Sequence, residues 1–174
     1  MKTITLTLAV FLFGVTTMFA QRFAYVDTEY ILKNIPEYNE AQKKLDEAAE
    51  KWQAEIREKY QEIERLYQKF QAEQVLLTDQ MRREKEEEIM RKEREVKDFQ
   101  QSRFGPEGEL FKKRQSLVKP IQDKVYDEIQ KLATSRNYDF IFDKAGGVTM
   151  LYSNTRYDQS DVIIRALGHT PSRQ

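Results

Sequence analysis

Residues 37–104 contain neither glycine nor proline, and apolar residues recur at helical spacing through a dense background of Lys, Arg, Glu and Gln. A periodic run of this length with no breaker reads as long amphipathic helix of the coiled-coil type. It lies between two short β-like segments, near opposite ends of the chain. The expected fold class is therefore α+β and mostly α, a long antiparallel helical hairpin growing from a small β body. Such a chain works by shape and surface rather than through a buried catalytic pocket. Charged residues make up 33% of the sequence and the formal net charge is 0, so opposite charges interleave and no basic excess exists to bind nucleic acid.

The N-terminus reads as a signal peptide over residues 1–20: Lys2 is a short basic region, residues 4–15 are an apolar run interrupted only by Thr5, Thr7 and Gly14, and Ala20 is a suitable cleavage position. The apolar run falls short of the ~20 residues that a spanning helix needs. Loss of Lys2 leaves 28 basic and 29 acidic residues in a single mature unit, 21–174. Cysteine is absent, which excludes both a lipid anchor at the new N-terminus and a disulfide staple. Helix packing and self-association must hold the fold instead.

Residues 22–27 (RFAYVD) form the first strand candidate, and Asp27 is placed to cap a helix opening at Thr28. The seam then runs through Leu45, Ala49, Trp52, Ile56, Lys59, Ile63, Leu66 and Phe70 in alternating steps of four and three, broken only at Lys59 with Tyr60 beside the gap. Pairs such as Glu47–Lys51 and Glu88–Lys92 stand in the favourable order, each contributing ~0.2–0.5 kcal/mol. Gly105-Pro106 is the strongest interruption of the helical region, and Pro120 is expected to kink the helix that follows. Residues 138–142 (YDFIF) and 148–152 (VTMLY), joined through Gly146-Gly147, read as a β-hairpin, and a short helix closes the chain at about 160–167. The body strands thus fall at 22–27 and within 138–152, with the helical hairpin at about 28–133.

Length matching locates the reversal. A fold-back at Gly105 would make arms of very unequal length, and the two strand regions would miss each other by tens of ångströms at ~1.5 Å per residue. A reversal near Leu77-Thr78-Asp79 gives arms of about 50 residues each, with Thr78 or Asp79 capping the return helix. Gly105-Pro106 then becomes a bend midway along the return arm.

The strand FAYVDTEYIL after the signal peptide, the charged helical middle, the LVKPIQDKVYDEIQKLA return segment, the YDFIFDKAGGVTMLY segment and the closing SDVIIRAL helix together resemble the Skp/OmpH family of periplasmic chaperones. That resemblance implies a homotrimer whose strands form a common body, with three helical hairpins hanging from it around a cavity. It also implies ATP-independent holding of unfolded outer-membrane β-barrel proteins in the periplasm. Familiar members are often strongly basic, whereas this chain is near neutral, and residues 105–108 look like an insertion.

Val75, Leu76, Leu77 and Met81 would form an apolar patch at the hairpin tip, suited either to client segments or to packing the arms together. Arg82 and Arg83, with Lys112, Lys113 and Arg114, are basic clusters suited to acidic clients or anionic lipid headgroups, or simply to solvated faces. Trp52, Tyr60 and Tyr67 are expected in the arm core. Tyr25, Val26, Ile141, Phe142, Val148 and Met150 alternate as sheet residues should and are assigned to the oligomer body. The single histidine, His169, rules out a His-based triad or a multi-His metal site, and Gly146-Gly147 reads as a turn, not a phosphate loop, so neither catalysis nor a cofactor is expected. The rival reading is an exported coiled-coil spacer or adaptor of the cell envelope. Such a spacer needs no β body built from both ends of the chain.

Overall fold

Chain order in the computed structural model is strand β1 (Phe23–Val26), helices α1 (Thr28–Lys33), α2 (Pro36–Glu73), α3 (Asp79–Phe104), α4 (Glu109–Leu117) and α5 (Lys119–Arg136), strand β2 (Phe140–Asp143), one 3-10 turn (Thr155–Tyr157) and helix α6 (Ser160–Ala166). The structure describes residues 21–147 and 150–172. The signal-peptide reading of 1–20 and the body assignment of Val148 lie outside the described residues.

β1 and β2 pair in parallel, Phe23 opposite Phe140 and Val26 opposite Asp143. Parallel neighbours need a long crossover, and here the crossover is the entire helical hairpin. Asp27 accepts the Tyr30 N–H at 2.9 Å and so caps α1. Ser160, 1% exposed, accepts the Asp27 N–H through Oγ at 2.9 Å, which ties the start of α6 to the end of β1. The body core is Val26, Ile31, Ile35, Val125, Leu132, Ile163 and Ile164. It draws on β1, α1, α5 and α6, so both ends of the chain are needed to close it.

The hairpin leaves this body as α2, whose 38 residues span about 57 Å. The chain reverses between Glu73 and Thr78. Thr78 Oγ1 accepts the Met81 N–H at 3.3 Å and caps α3. Two apolar clusters join the arms: Ile63, Ile89 and Val96 toward the tip, and Ala41, Leu45 and Val118 toward the body. The bend at Gly105 separates α3 from α4, midway along the return arm.

Several expectations are corrected. Pro120 does not kink a continuous helix: α4 ends at Leu117, and Pro120 sits in the first turn of α5, where its missing N–H breaks no helical bond. The β-hairpin through Gly146-Gly147 does not form among the described residues. A four-residue turn follows β2, the Asp143 carboxylate takes the Ala145 N–H at 3.0 Å, and Met150, Leu151 and Tyr152 lie outside any strand. A turn of that length sets no two-residue hairpin register, and Leu151 is left 94% exposed. The ion pairs differ as well. Lys92 reaches across the arms to Glu62 at 3.0 Å instead of back to Glu88, and Glu47 faces Lys43 at 3.9 Å instead of Lys51.

Asp143 carries more of the body than its sequence position suggests. Its carboxylate accepts the Thr28 N–H at 3.1 Å and the Thr28 hydroxyl at 2.7 Å, locking β2 to the start of α1. Asp143→Ala is expected to cost about 1–3 kcal/mol in urea unfolding, because it strands a part-buried N–H, and Asp143→Asn should recover part of that. An unchanged midpoint for Asp143→Ala would mean that the lock is ornamental.

Candidate functional site

The hairpin tip is built by the chain's own capping chemistry. The Leu76 N–H bonds back to the Glu73 carbonyl at 2.8 Å, and Arg82 donates through Nη2 to the Gln74 carbonyl at 3.2 Å. Closing the turn in this way turns Val75 and Leu76 outward, 81% and 84% exposed, while Leu77 is half-buried and Met81 is 48% exposed. Val75 and Leu76 therefore do not pack the arms together. Arg83 is exposed near the start of α3, and Arg82 is partly occupied as a cap. Lys112, Lys113 and Arg114 are exposed on α4, with roughly 32 Å of α3 between Arg83 and the bend, so the structure keeps the two basic clusters apart.

The second surface is the outer face of the sheet. Parallel register puts Phe23 beside Phe140 and Tyr25 beside Phe142. Phe23, Phe140 and Phe142 are all exposed, and the last two stack at 6.3 Å between ring centroids. Tyr25 and Val26 are buried, and Ile141 packs against the body core from the opposite face. Met150, assigned to a strand, is half-buried in an irregular stretch.

An open groove of about 940 Å³ runs along the body past Tyr25, Asp27, Tyr30, Lys33 and Lys144. Its charges face one another: Lys144 lies 3.7 Å from Asp27, and Lys33 donates to Glu29 at 2.6 Å. The Lys33 hydrogen bond holds the Glu29 carboxyl below the ordinary carboxylate value, and Glu29 in turn raises Lys33. Any stability from that depressed carboxyl is present above its unfolded value and lost as pH falls through the folded one. Full exposure keeps the contribution small. Among the described residues, no helix is long and apolar enough to cross a membrane.

Within the arms, Trp52 is buried as expected, but Tyr60 and Tyr67 are about half exposed. Each stands one residue past a seam position, and a step of about 100° carries it off the seam. Sequence reasoning missed Asp143 and Arg103. The Lys59 break in the seam, opposite an aromatic-rich return segment, was the available signal for a cation–aromatic joint.

The comparisons agree with this geometry. The family model described as "Outer membrane protein (OmpH-like)" matches residues 22–167. A search of curated proteins finds no match. The crystal structure of a proposed outer membrane chaperone (OmpH-like) from Caulobacter crescentus CB15 superposes with a TM-score of 0.65 at 12% identity, covering 88% of each chain. At that identity the likeness is one of fold. The family match takes in both strands, the whole hairpin and the closing helix, and on that ground the chain belongs to the OmpH-like family.

Proposed function

We propose that this chain is a periplasmic, ATP-independent holdase, exported with cleavage near Ala20, which binds unfolded outer-membrane β-barrel proteins and prevents their aggregation. The carrying observation is the pair Val75 and Leu76, exposed at the end of a hairpin held out from the body. Burial of apolar surface is non-directional, so such residues serve clients of varied sequence. Family membership and the solved neighbour described as an outer membrane chaperone support the same reading. Three chains associate through the outer sheet face, so that three hairpins surround a client. Arg82 and Arg83 add a weak attraction for acidic client segments or anionic headgroups. With 28 basic and 29 acidic residues in the cleaved chain, long-range capture contributes little.

The test is the solution mass of the mature chain by light scattering, alone and with one urea-unfolded outer-membrane barrel diluted into it. A trimer that keeps the barrel soluble in a defined complex is expected. A monomer or extended dimer that lets the barrel precipitate would sink the proposal and favour a structural spacer.

The tip makes its own prediction. The double variant Val75→Ser, Leu76→Ser should unfold within about 0.5 kcal/mol of the parent, since both side chains are exposed. If each buries ~1.5 kcal/mol against a client, the concentration that half-suppresses aggregation should rise about a hundredfold. Equal suppression by variant and parent would take the tip out of the client site.

A further inference from the structure

The return arm is interrupted at residues 105–108, and across from that break the apolar seam gives way to a cation–aromatic cluster. Trp52 on α2 is 8% exposed. Phe104, the last residue of α3, meets its ring edge-on at 6.1 Å. The Arg103 guanidinium lies 5.1 Å from the Trp52 ring and 5.0 Å from the Phe99 ring. Lys59, exposed at the break in the seam, brings its Nζ to 5.5 Å from the ring of Phe99, the second aromatic partner of Arg103. Arg103 Nε is buried with no hydrogen-bond partner among the described residues. Aromatic faces attract a cation without demanding one hydrogen-bond geometry, so they hold it where a carboxylate would impose a fixed fork.

The backbone next to this cluster has no slack. A Cβ at Gly105 would lie 2.4 Å from the Gln101 carbonyl oxygen, and one at Gly108 would lie 2.9 Å from the Arg103 carbonyl oxygen. Outside the bend is an open notch of about 550 Å³ between Asp98, Gln101 and Lys112. The hairpin is thus two packed halves, the Ile63 cluster toward the tip and the Leu45 cluster toward the body. The joint between them is glycine on one side and aromatic on the other.

We propose that Arg103 is a clamp that fixes the tip half of the return arm against α2 and so sets the angle held at residues 105–108. Its cation ties Phe99 on α3 to Trp52 on α2 immediately before the break. Without it, the end of α3 beyond Val96 is held more loosely against α2, and the angle at the bend takes a wider range while the Ile63 and Leu45 clusters keep each half packed. The clamp does not depend on the identity of the client.

The absence of cysteine makes the test clean. Spin labels on Glu86→Cys in α3 and Gln115→Cys in α4, in labelled chains diluted with unlabelled ones, report the distance across the bend within one chain. A narrow distribution is expected for the parent and for Arg103→Lys, which keeps the cation. Arg103→Met, of similar bulk and no charge, should at least double its width. Equal widths in parent and Arg103→Met overturn the clamp, and so does equal broadening by Lys and Met, which would make the residue generic packing. Should Arg103→Met fail to reach parental helicity, Trp52→Phe weakens the cation's partner while keeping a ring. Broadening in that variant supports the clamp, and a parental width overturns it.

Discussion

Ile164→Ala is expected to lower stability by about 2–5 kcal/mol, a large share of the ~5–15 kcal/mol that holds a typical domain folded. Ile164 is 0% exposed and packs with Val26, Ile31, Val125 and Leu132, residues drawn from β1, α1 and α5. Truncation there leaves a cavity at the point where α6 wedges between α1 and α5. Urea unfolding followed at 222 nm, at fixed protomer concentration, would measure the loss. The matched deletion Leu76→Ala at the tip should stay within about 0.5 kcal/mol. If both truncations gave equal losses, the body would not be the seat of stability and the division between a folded body and an outlying hairpin would be wrong.

That division was legible in the sequence for a physical reason. A stretch without glycine or proline has few alternatives to helix, and its apolar period fixes which face is buried. The residues read as seam are the ones that pack, among them Leu45, Trp52, Ile63 and Phe70. The caps were legible because Asp27 and Thr78 have chemistry that only a helix start uses well. The reversal near Thr78 carries no breaker at all, and came from the requirement that two strands at opposite ends of the chain must meet.

What escaped was whatever depends on choosing among equals or on distance in space. Lys92 has several carboxylates within reach along its own helix, and only the facing arm decides that Glu62 takes it. Asp143 looks like any acidic residue after a strand until β2 lies beside Thr28. Arg103 is one cation among many until the bend sets it between Trp52 and Phe99. The 148–152 segment has strand-like composition, yet composition specifies a strand only where an edge is offered in the right register. In a single chain, Met150, Leu151 and Tyr152 find none.

The outer sheet face gives the second large effect. Phe140→Glu with Phe142→Glu should convert a multi-protomer solution mass to that of one protomer. A two-stranded sheet is marginal by itself, and this one leaves Phe23 49%, Phe140 56% and Phe142 43% exposed in a continuous apolar face. In a self-associated body each phenylalanine, already about half buried, would gain roughly 0.7–1.5 kcal/mol of transfer free energy. A carboxylate there would have to be desolvated without a partner, at a cost of several kcal/mol. The two substitutions leave the inner face, with Val26 and Ile141, untouched, so helicity at 222 nm should survive while thermal unfolding loses its dependence on protein concentration. Client suppression should fall with the mass, since separate hairpins enclose nothing. A variant that keeps the parental mass would place self-association elsewhere on the chain. One that becomes monomeric yet still holds an unfolded barrel soluble would show that a single hairpin is the working unit.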